Sequence, residues 1–169
     1  MTSVFKVLFI LLFSIGALAD DATVVRKDHL IQSITFKDGY KITVKYDPKA
    51  HKISRVDKPN AHYRFWYNSK NLLVKAQNNE DVVELEYDAQ NRISCIRRIK
   101  SKCVMIAYDN IFGKPNVLSY GSKTLFVTYN SIGNINNVWS ASGYDAREIS
   151  QLFNSLLNLA SPTKLFSKE

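Results

Sequence analysis

A dipeptide of tyrosine followed by Asp or Asn returns along the chain with an almost constant spacing: Tyr46-Asp47, Tyr67-Asn68, Tyr87-Asp88, Tyr108-Asp109 and Tyr129-Asn130, separated by 21, 20, 21 and 21 residues. A period this short, held over most of the chain, predicts one supersecondary unit stacked many times, so these ten residues are structural before they are anything else. The positions four and two residues before each tyrosine are apolar every time: Ile42 and Val44, Tyr63 and Phe65, Val83 and Leu85, Val104 and Ile106, Leu125 and Val127. With the tyrosines they form a period-2 stripe, the mark of a strand with one buried face. The other parity is mixed, as in Thr43 and Lys45, Arg64 and Trp66, or Glu84 and Glu86. That face is expected to meet solvent or a ligand.

Turn chemistry keeps the same beat. Asp38-Gly39, Pro59-Asn60, Asn79-Glu80, Lys100-Ser101 and Gly121-Ser122 precede the strands, and Ala50, Asn71, Asn91, Phe112 with Gly113, and Gly133 follow the tyrosines. Several of these are hairpin connectors or residues that accept a positive φ. Each unit therefore reads as turn, strand ending in Tyr-Asp, turn and returning strand, giving about ten antiparallel strands from near Leu30 to near Trp139. The Asp or Asn after each tyrosine is expected to bond backbone amides of the next turn. Five of them do not make a calcium ladder, because calcium needs several oxygens converging on one point.

The segments Tyr87-Asp88-Ala89-Gln90-Asn91-Arg92-Ile93 and Tyr129-Asn130-Ser131-Ile132-Gly133-Asn134-Ile135 resemble the YD (Rhs-type) repeat, and the likeness covers residues 30–140. It implies a short exported member whose five units, each of about 21 residues, coil into a continuous curled antiparallel sheet that presents a surface. The polymorphic-toxin role of the large members is not implied, since five units cannot close a shell.

The ends of the chain read differently. Lys6 precedes the apolar run Val7-Leu8-Phe9-Ile10-Leu11-Leu12-Phe13, and Ala17-Leu18-Ala19 places small residues at the cleavage positions. Residues 1–19 are thus expected to be a signal peptide, cleaved before Asp20, and residues 20–169 one exported domain in the periplasm or outside the cell, with no stable membrane span. After Gly143, Asp145-Ala146-Arg147-Glu148 reads as an N-cap with a carboxylate at N3. Ile149, Leu152, Phe153, Leu156, Leu157, Leu159 and Ala160 then share one helical face, so an amphipathic helix over residues 145–160 is expected to pack on the sheet. With about 14 helical residues it would be about 21 Å long and cover about four or five strands.

Charge and constellations narrow the function. The net charge of +8 is spread through all units without a basic block, and an exported protein meets anionic glycans and proteins in place of nucleic acid, so no nucleic-acid partner is expected. His29, His51 and His62 share no metal-like spacing, and no nucleophile elbow or phosphate loop occurs. The expectation is a protein that is not an enzyme, with no catalytic residues, metal or cofactor. The candidate binding face is His62, Arg64, Trp66, Glu84, Glu86, Met105, Phe126 and Trp139, in which Trp, Arg and Met are residue types that anchor protein interfaces. One reading is a protein–protein interaction module of the bacterial envelope, such as a periplasmic immunity or inhibitor protein meeting a toxin or receptor. The other is a glycan- or cell-surface-binding module, in which Trp66 stacks on a sugar beside Glu84 and Glu86.

Cys95 and Cys103 lie on the two strands of one hairpin. A turn at Lys100-Ser101 would set Cys103 opposite Arg98 and Cys95 opposite Ile106, beyond bridging reach, whereas a bulge or tighter turn would allow a disulfide, and the sequence leaves both open. The register of the returning strands is equally open, since Ile53, Ile93 and Val117 do not keep one parity.

Overall fold

The computed structural model describes residues 22–141 and 143–166; the expected signal peptide, residues 1–19, lies outside the described residues. Twelve strands follow one another: β1 (Ala22–Lys27), β2 (Leu30–Phe36), β3 (Lys41–Asp47), β4 (Lys52–Lys58), β5 (Ala61–Tyr67), β6 (Leu73–Gln77), β7 (Val82–Tyr87), β8 (Ile93–Arg98), β9 (Val104–Tyr108), β10 (Pro115–Tyr120), β11 (Lys123–Tyr129) and β12 (Ile135–Ser140). A helix, α1 (Gly143–Leu159), and a 3₁₀ turn, Pro162–Phe166, complete the described chain. The hydrogen-bonded order is the sequence order, β1 to β12, with no pairing between β12 and β1. Expectation and structure differ here, because a curled sheet of about ten strands becomes an open order of twelve. The additional pair is β1 with β2, which the tyrosine count could not see because Arg26-Lys27 stands where the spacing would put Tyr-Asp.

Two compact units are present, one running to Tyr63 and including Pro162–Phe166, the other Arg64–Ser161. In the first, Ile31, Ile34, Ile42, Val44, Ile53 and Val56 are buried, as is Leu165, whose 3₁₀ turn touches β4. In the second, Val83, Leu85, Ile96, Val104, Ile106, Leu118 and Leu125 share a core with Ile149 and Leu156 of α1. Leu152, Phe153, Leu157, Leu159 and Ala160 pack around it, so the apolar face read from the sequence is the docking face, and the helix lies against β8, β10, β11 and β12. Each fully buried aliphatic side chain contributes about 1.5–3 kcal/mol. The helix starts two residues earlier than expected. Asp145 is therefore in its first turn, not its N-cap, and reaches with Glu148 toward Lys123 of β11, at 3.9 and 2.5 Å.

The fifteen stripe positions are all buried or half-buried. The returning strands lose parity for a definite reason. Tyr46 pairs with Ile53 while Lys45 pairs with Arg55; Tyr67 with Leu73 while Trp66 pairs with Lys75; Tyr87 with Ile93 while Glu86 pairs with Cys95. Tyr108 and Tyr129 behave alike, opposite Pro115 and Ile135. One residue of each returning strand (Ser54, Val74, Ser94, Asn116 and Asn136) is thus a β-bulge, and a bulge switches the face of everything beyond it.

The turn after each tyrosine is tied down by the next side chain. The Oδ1 of Asp47 accepts from the amides of Lys49 and Ala50, and that of Asp109 from Ile111 and Phe112. Asn68, Asp88 and Asn130 accept from the amides two and four residues on: Lys70 and Leu72, Gln90 and Arg92, Ile132 and Asn134. Left-handed backbone follows at His51, Asn71, Asn91, Gly113 and Gly133. The two longer turns are those of Asp47 and Asp109, where the positive φ falls one residue later.

Candidate binding surface

The tyrosines are not a stacking ladder for a ligand. Their hydroxyls donate to backbone carbonyls of the preceding hairpin: Tyr46 to Ile31 at 3.1 Å, Tyr87 to Leu73 at 2.7 Å, Tyr108 to Ile93 at 2.8 Å and Tyr129 to Pro115 at 2.6 Å. Burial pushes the Tyr87 hydroxyl up to about 12, with Tyr108 adding to it. These groups stay protonated and structural at neutral pH.

The face opposite α1 is built by the other parity. In the second unit, Trp66 of β5 lies opposite Lys75, Lys75 opposite Glu84, and Glu84 opposite Arg97, so four strands carry one continuous row. The Lys75 ammonium sits 4.9 Å over the Trp66 ring, a cation–π contact. Arg97 bonds Glu84 at 3.2 Å and Glu86 at 3.1 Å. Lys75 and Arg97 were not among the expected site residues, because the bulges at Val74 and Ser94 hid which parity of β6 and β8 faces outward. Arg64 is exposed one row away, opposite Gln77.

A second row joins Glu86 to Cys95, Cys95 to Met105 and Met105 to Ser119. Met105 is 54% exposed. Cys95 and Cys103 form a disulfide with Cα atoms 5.7 Å apart. The expected register is corrected by one residue, since Cys95 faces Met105 and Ile96 faces Val104. The turn from Arg98 to Ser101, with Lys100 at a φ of 62°, is the tighter one that brings the sulfurs to the same face.

Phe126 and Trp139 are direct partners on β11 and β12 and stack with ring centroids 4.3 Å apart, leaving Trp139 48% exposed. They lie two or more strands from Met105, so the expected face resolves into the Trp66–Arg97 row, the adjoining row that carries Glu86 and Met105, and an aromatic pair on β11 and β12. His62 belongs to the first unit, where its Nδ1 lies 2.8 Å from Asp57 Oδ1. Partial burial opposes ionisation of Asp57, but hydrogen bonds from Arg55 and His62 prevail and hold its carboxyl below the usual range. Among the described residues no group of three or more His, Cys, Asp or Glu gathers as a metal site requires, and no helix is long and apolar enough to cross a membrane.

The fold and this surface define a class: among the described residues, an antiparallel β-sheet protein of sequential hairpins with one helix on its apolar face. No protein-family model and no curated protein matches the chain. Among solved structures it is similar to a Tc holotoxin pore of Photorhabdus luminescens, at 13% identity and a TM-score of 0.50. The match covers 75% of this chain and 9% of that one, so the chain spans a small part of its neighbour and the likeness concerns the fold alone.

Proposed function

We propose that the protein is a short exported member of the YD (Rhs-type) repeat family, its hairpins descending from one repeated unit. It acts by binding and not by catalysis, as a protein–protein interaction module of the bacterial envelope such as a periplasmic immunity or inhibitor protein. The observation that carries this reading is the Trp66 row. A large aromatic side chain, 38% exposed, lies under the Lys75 ammonium and in one row with Glu84 and Arg97, and Arg97 is itself paired with Glu84 and Glu86. An apolar anchor within a neutralised polar rim suits a protein partner. It suits a sugar less well, because Lys75 covers one face of the ring and Arg97 engages the carboxylates a glycan would need.

One observation favours the second reading, a glycan- or cell-surface-binding module. The Phe126–Trp139 stack leaves the Trp139 ring partly open, and an open aromatic face is what a sugar ring packs on.

The test is capture from the source organism's envelope extract on immobilised residues 20–169, beside the Arg64→Ala/Trp66→Ala and Trp139→Ala variants. A protein retained in stoichiometric amount and lost with the first variant supports the interface reading. Retained glycan lost only with Trp139→Ala supports the second, and equal recovery on all columns sinks both. Amino-terminal sequencing of the exported protein should begin at Asp20.

A further inference from the structure

Each returning strand receives the next strand in one way. The residue three beyond the carbonyl that accepts a tyrosine hydroxyl pairs with the residue four before that tyrosine: Ile34 with Ile42, Ala76 with Val83, Ile96 with Val104 and Leu118 with Leu125. The corresponding carbonyls are those of Ile31, Leu73, Ile93 and Pro115. The four receiving residues are at most 5% exposed. In β12 the same places are taken by Ile135, which faces Tyr129, and by Val138 three residues on. Among the described residues no further strand pairs there. Val138 is 46% exposed and Ile135 64%, and among the described residues no side chain donates to the Ile135 carbonyl. The one tyrosine that follows, Tyr144, is exposed on α1.

Edge strands are ordinarily guarded by charge, proline or brevity. The β12 sequence, Ile135-Asn136-Asn137-Val138-Trp139-Ser140, carries no charge and no proline over six residues. By contrast β1, at the other end of the order, ends in Arg26-Lys27.

We infer that β12 is a strand-addition site for a partner polypeptide whose extended segment reads apolar-x-apolar-x-Tyr-Asp/Asn. The incoming strand lies antiparallel to β12, with the residue four before its tyrosine opposite Val138 and its hydroxyl donating to the Ile135 carbonyl. Main-chain hydrogen bonds hold such a strand, and the apolar and tyrosine positions select it. A second copy is the poorer occupant. Its free strand, β1, keeps Ala22 and Val24 in phase but offers Arg26 in place of tyrosine. This site is an edge, independent of the Trp66 surface, and either can fail without the other.

The probe is a fluorescent peptide with the sequence of Lys123–Asn130, added to the mature full chain, residues 20–169. Saturable binding is expected, with slowed amide exchange confined to β12. Replacing the peptide tyrosine by phenylalanine should weaken binding about five-fold, the worth of one hydrogen bond. Val138→Lys in the protein should abolish binding while leaving the circular dichroism unchanged, since the site is half-exposed, and Arg64→Ala/Trp66→Ala should leave binding intact. Absence of binding, binding indifferent to Val138→Lys, or protection elsewhere than β12 would overturn the inference. Self-association of the chain that the peptide cannot displace would also overturn it, by assigning the edge to a second copy.

Discussion

The Tyr108 hydroxyl donates to the Ile93 carbonyl at 2.8 Å, and Ile93 is the residue that pairs with Tyr87. Tyr87 in turn donates to Leu73, the partner of Tyr67. Every such tyrosine therefore closes its own hairpin by pairing and fastens it to the hairpin before by its hydroxyl. The link couples neighbouring hairpins in addition to the strand ladder and the shared apolar core. Tyr108→Phe keeps the ring under the Arg92 guanidinium, 4.3 Å away, and removes only the donor. The expected cost is about 1 kcal/mol, read as a lower urea midpoint, whereas Tyr144→Phe at an exposed helical position should be neutral. A neutral Tyr108→Phe would mean that the ring alone matters.

The same burial makes stability fall in alkali. Burial pushes the Tyr87 hydroxyl up to about 12 from the ordinary tyrosine value of about 10, and raises Tyr46, Tyr108 and Tyr129 in the same direction. Above pH 10 the unfolded chain loses these protons first, so stability declines as pH rises from about 10 to 12. In acid the sign reverses. Asp47 and Asp88 are held below the usual carboxylate range, Asp47 chiefly by the amides of Ala50 and Lys49, and Asp88 by the Arg92 amide and guanidinium against a desolvation cost. The stability they provide is present above their unfolded values and is lost as pH falls below about 4. Thermal midpoints across pH 2–12 should form a plateau that drops at both ends, with the alkaline drop reduced in Tyr87→Phe.

Half of each hairpin is legible in the sequence and half is not, for one physical reason. The outgoing strands keep strict alternation up to the tyrosine, so Val83, Leu85 and Tyr87 announce their face. In the returning strands a bulge such as Ser94 lets Ile93 and Ile96, three residues apart, both turn inward. Period-2 reasoning fails there, and with it the outward placement of Lys75 and Arg97, whereas the cysteine register shifts by one residue because the turn closes over Arg98 to Ser101. The β1–β2 hairpin escaped because its marker residue is Arg26. The helix was legible because seven apolar residues at helical spacing admit one docking face, while its first turn was misplaced because Gly143 and Tyr144 carry no capping signature.

Asn91 is a local test of the turn chemistry. It sits at a φ of 61°, and its amide donates to the Asp88 carbonyl at 3.0 Å. Asn91→Ala should cost about 1 kcal/mol, the penalty of a Cβ in left-handed backbone without a compensating side chain, while Asn91→Gly should be neutral or mildly stabilising. Equal losses in both variants would show that the Asn91 side chain, not its backbone, holds the turn.

The Cys95–Cys103 bridge closes a loop with a sequence separation of 8. A loop that short restrains the unfolded chain modestly, by about 2–3 kcal/mol in the chain-entropy account. Cys95→Ala/Cys103→Ala should therefore lower the denaturant midpoint while leaving the fold and the β12 edge unchanged. Cys95 is itself buried, so serine at that position should cost more than alanine.

The helix gives the sharpest test of how the second unit is held. Ile149 and Leu156 are both essentially inaccessible and meet Leu85, Ile96, Val104 and Leu125 in one cluster. Removing either side chain leaves a cavity lined by strands that cannot move without breaking their ladder, so Ile149→Ala or Leu156→Ala should each cost about 2–5 kcal/mol. Lys123→Met would remove the contact with Glu148 and Asp145 at the start of the helix but leave the apolar face in place, and its effect should be smaller and salt-dependent. If Lys123→Met proved as costly as Leu156→Ala, the helix would be anchored by charge and not by burial. Amide exchange would separate the cases, because loss of burial should open α1 together with β7 to β11, whereas loss of the ion pair should open only the first turn of α1.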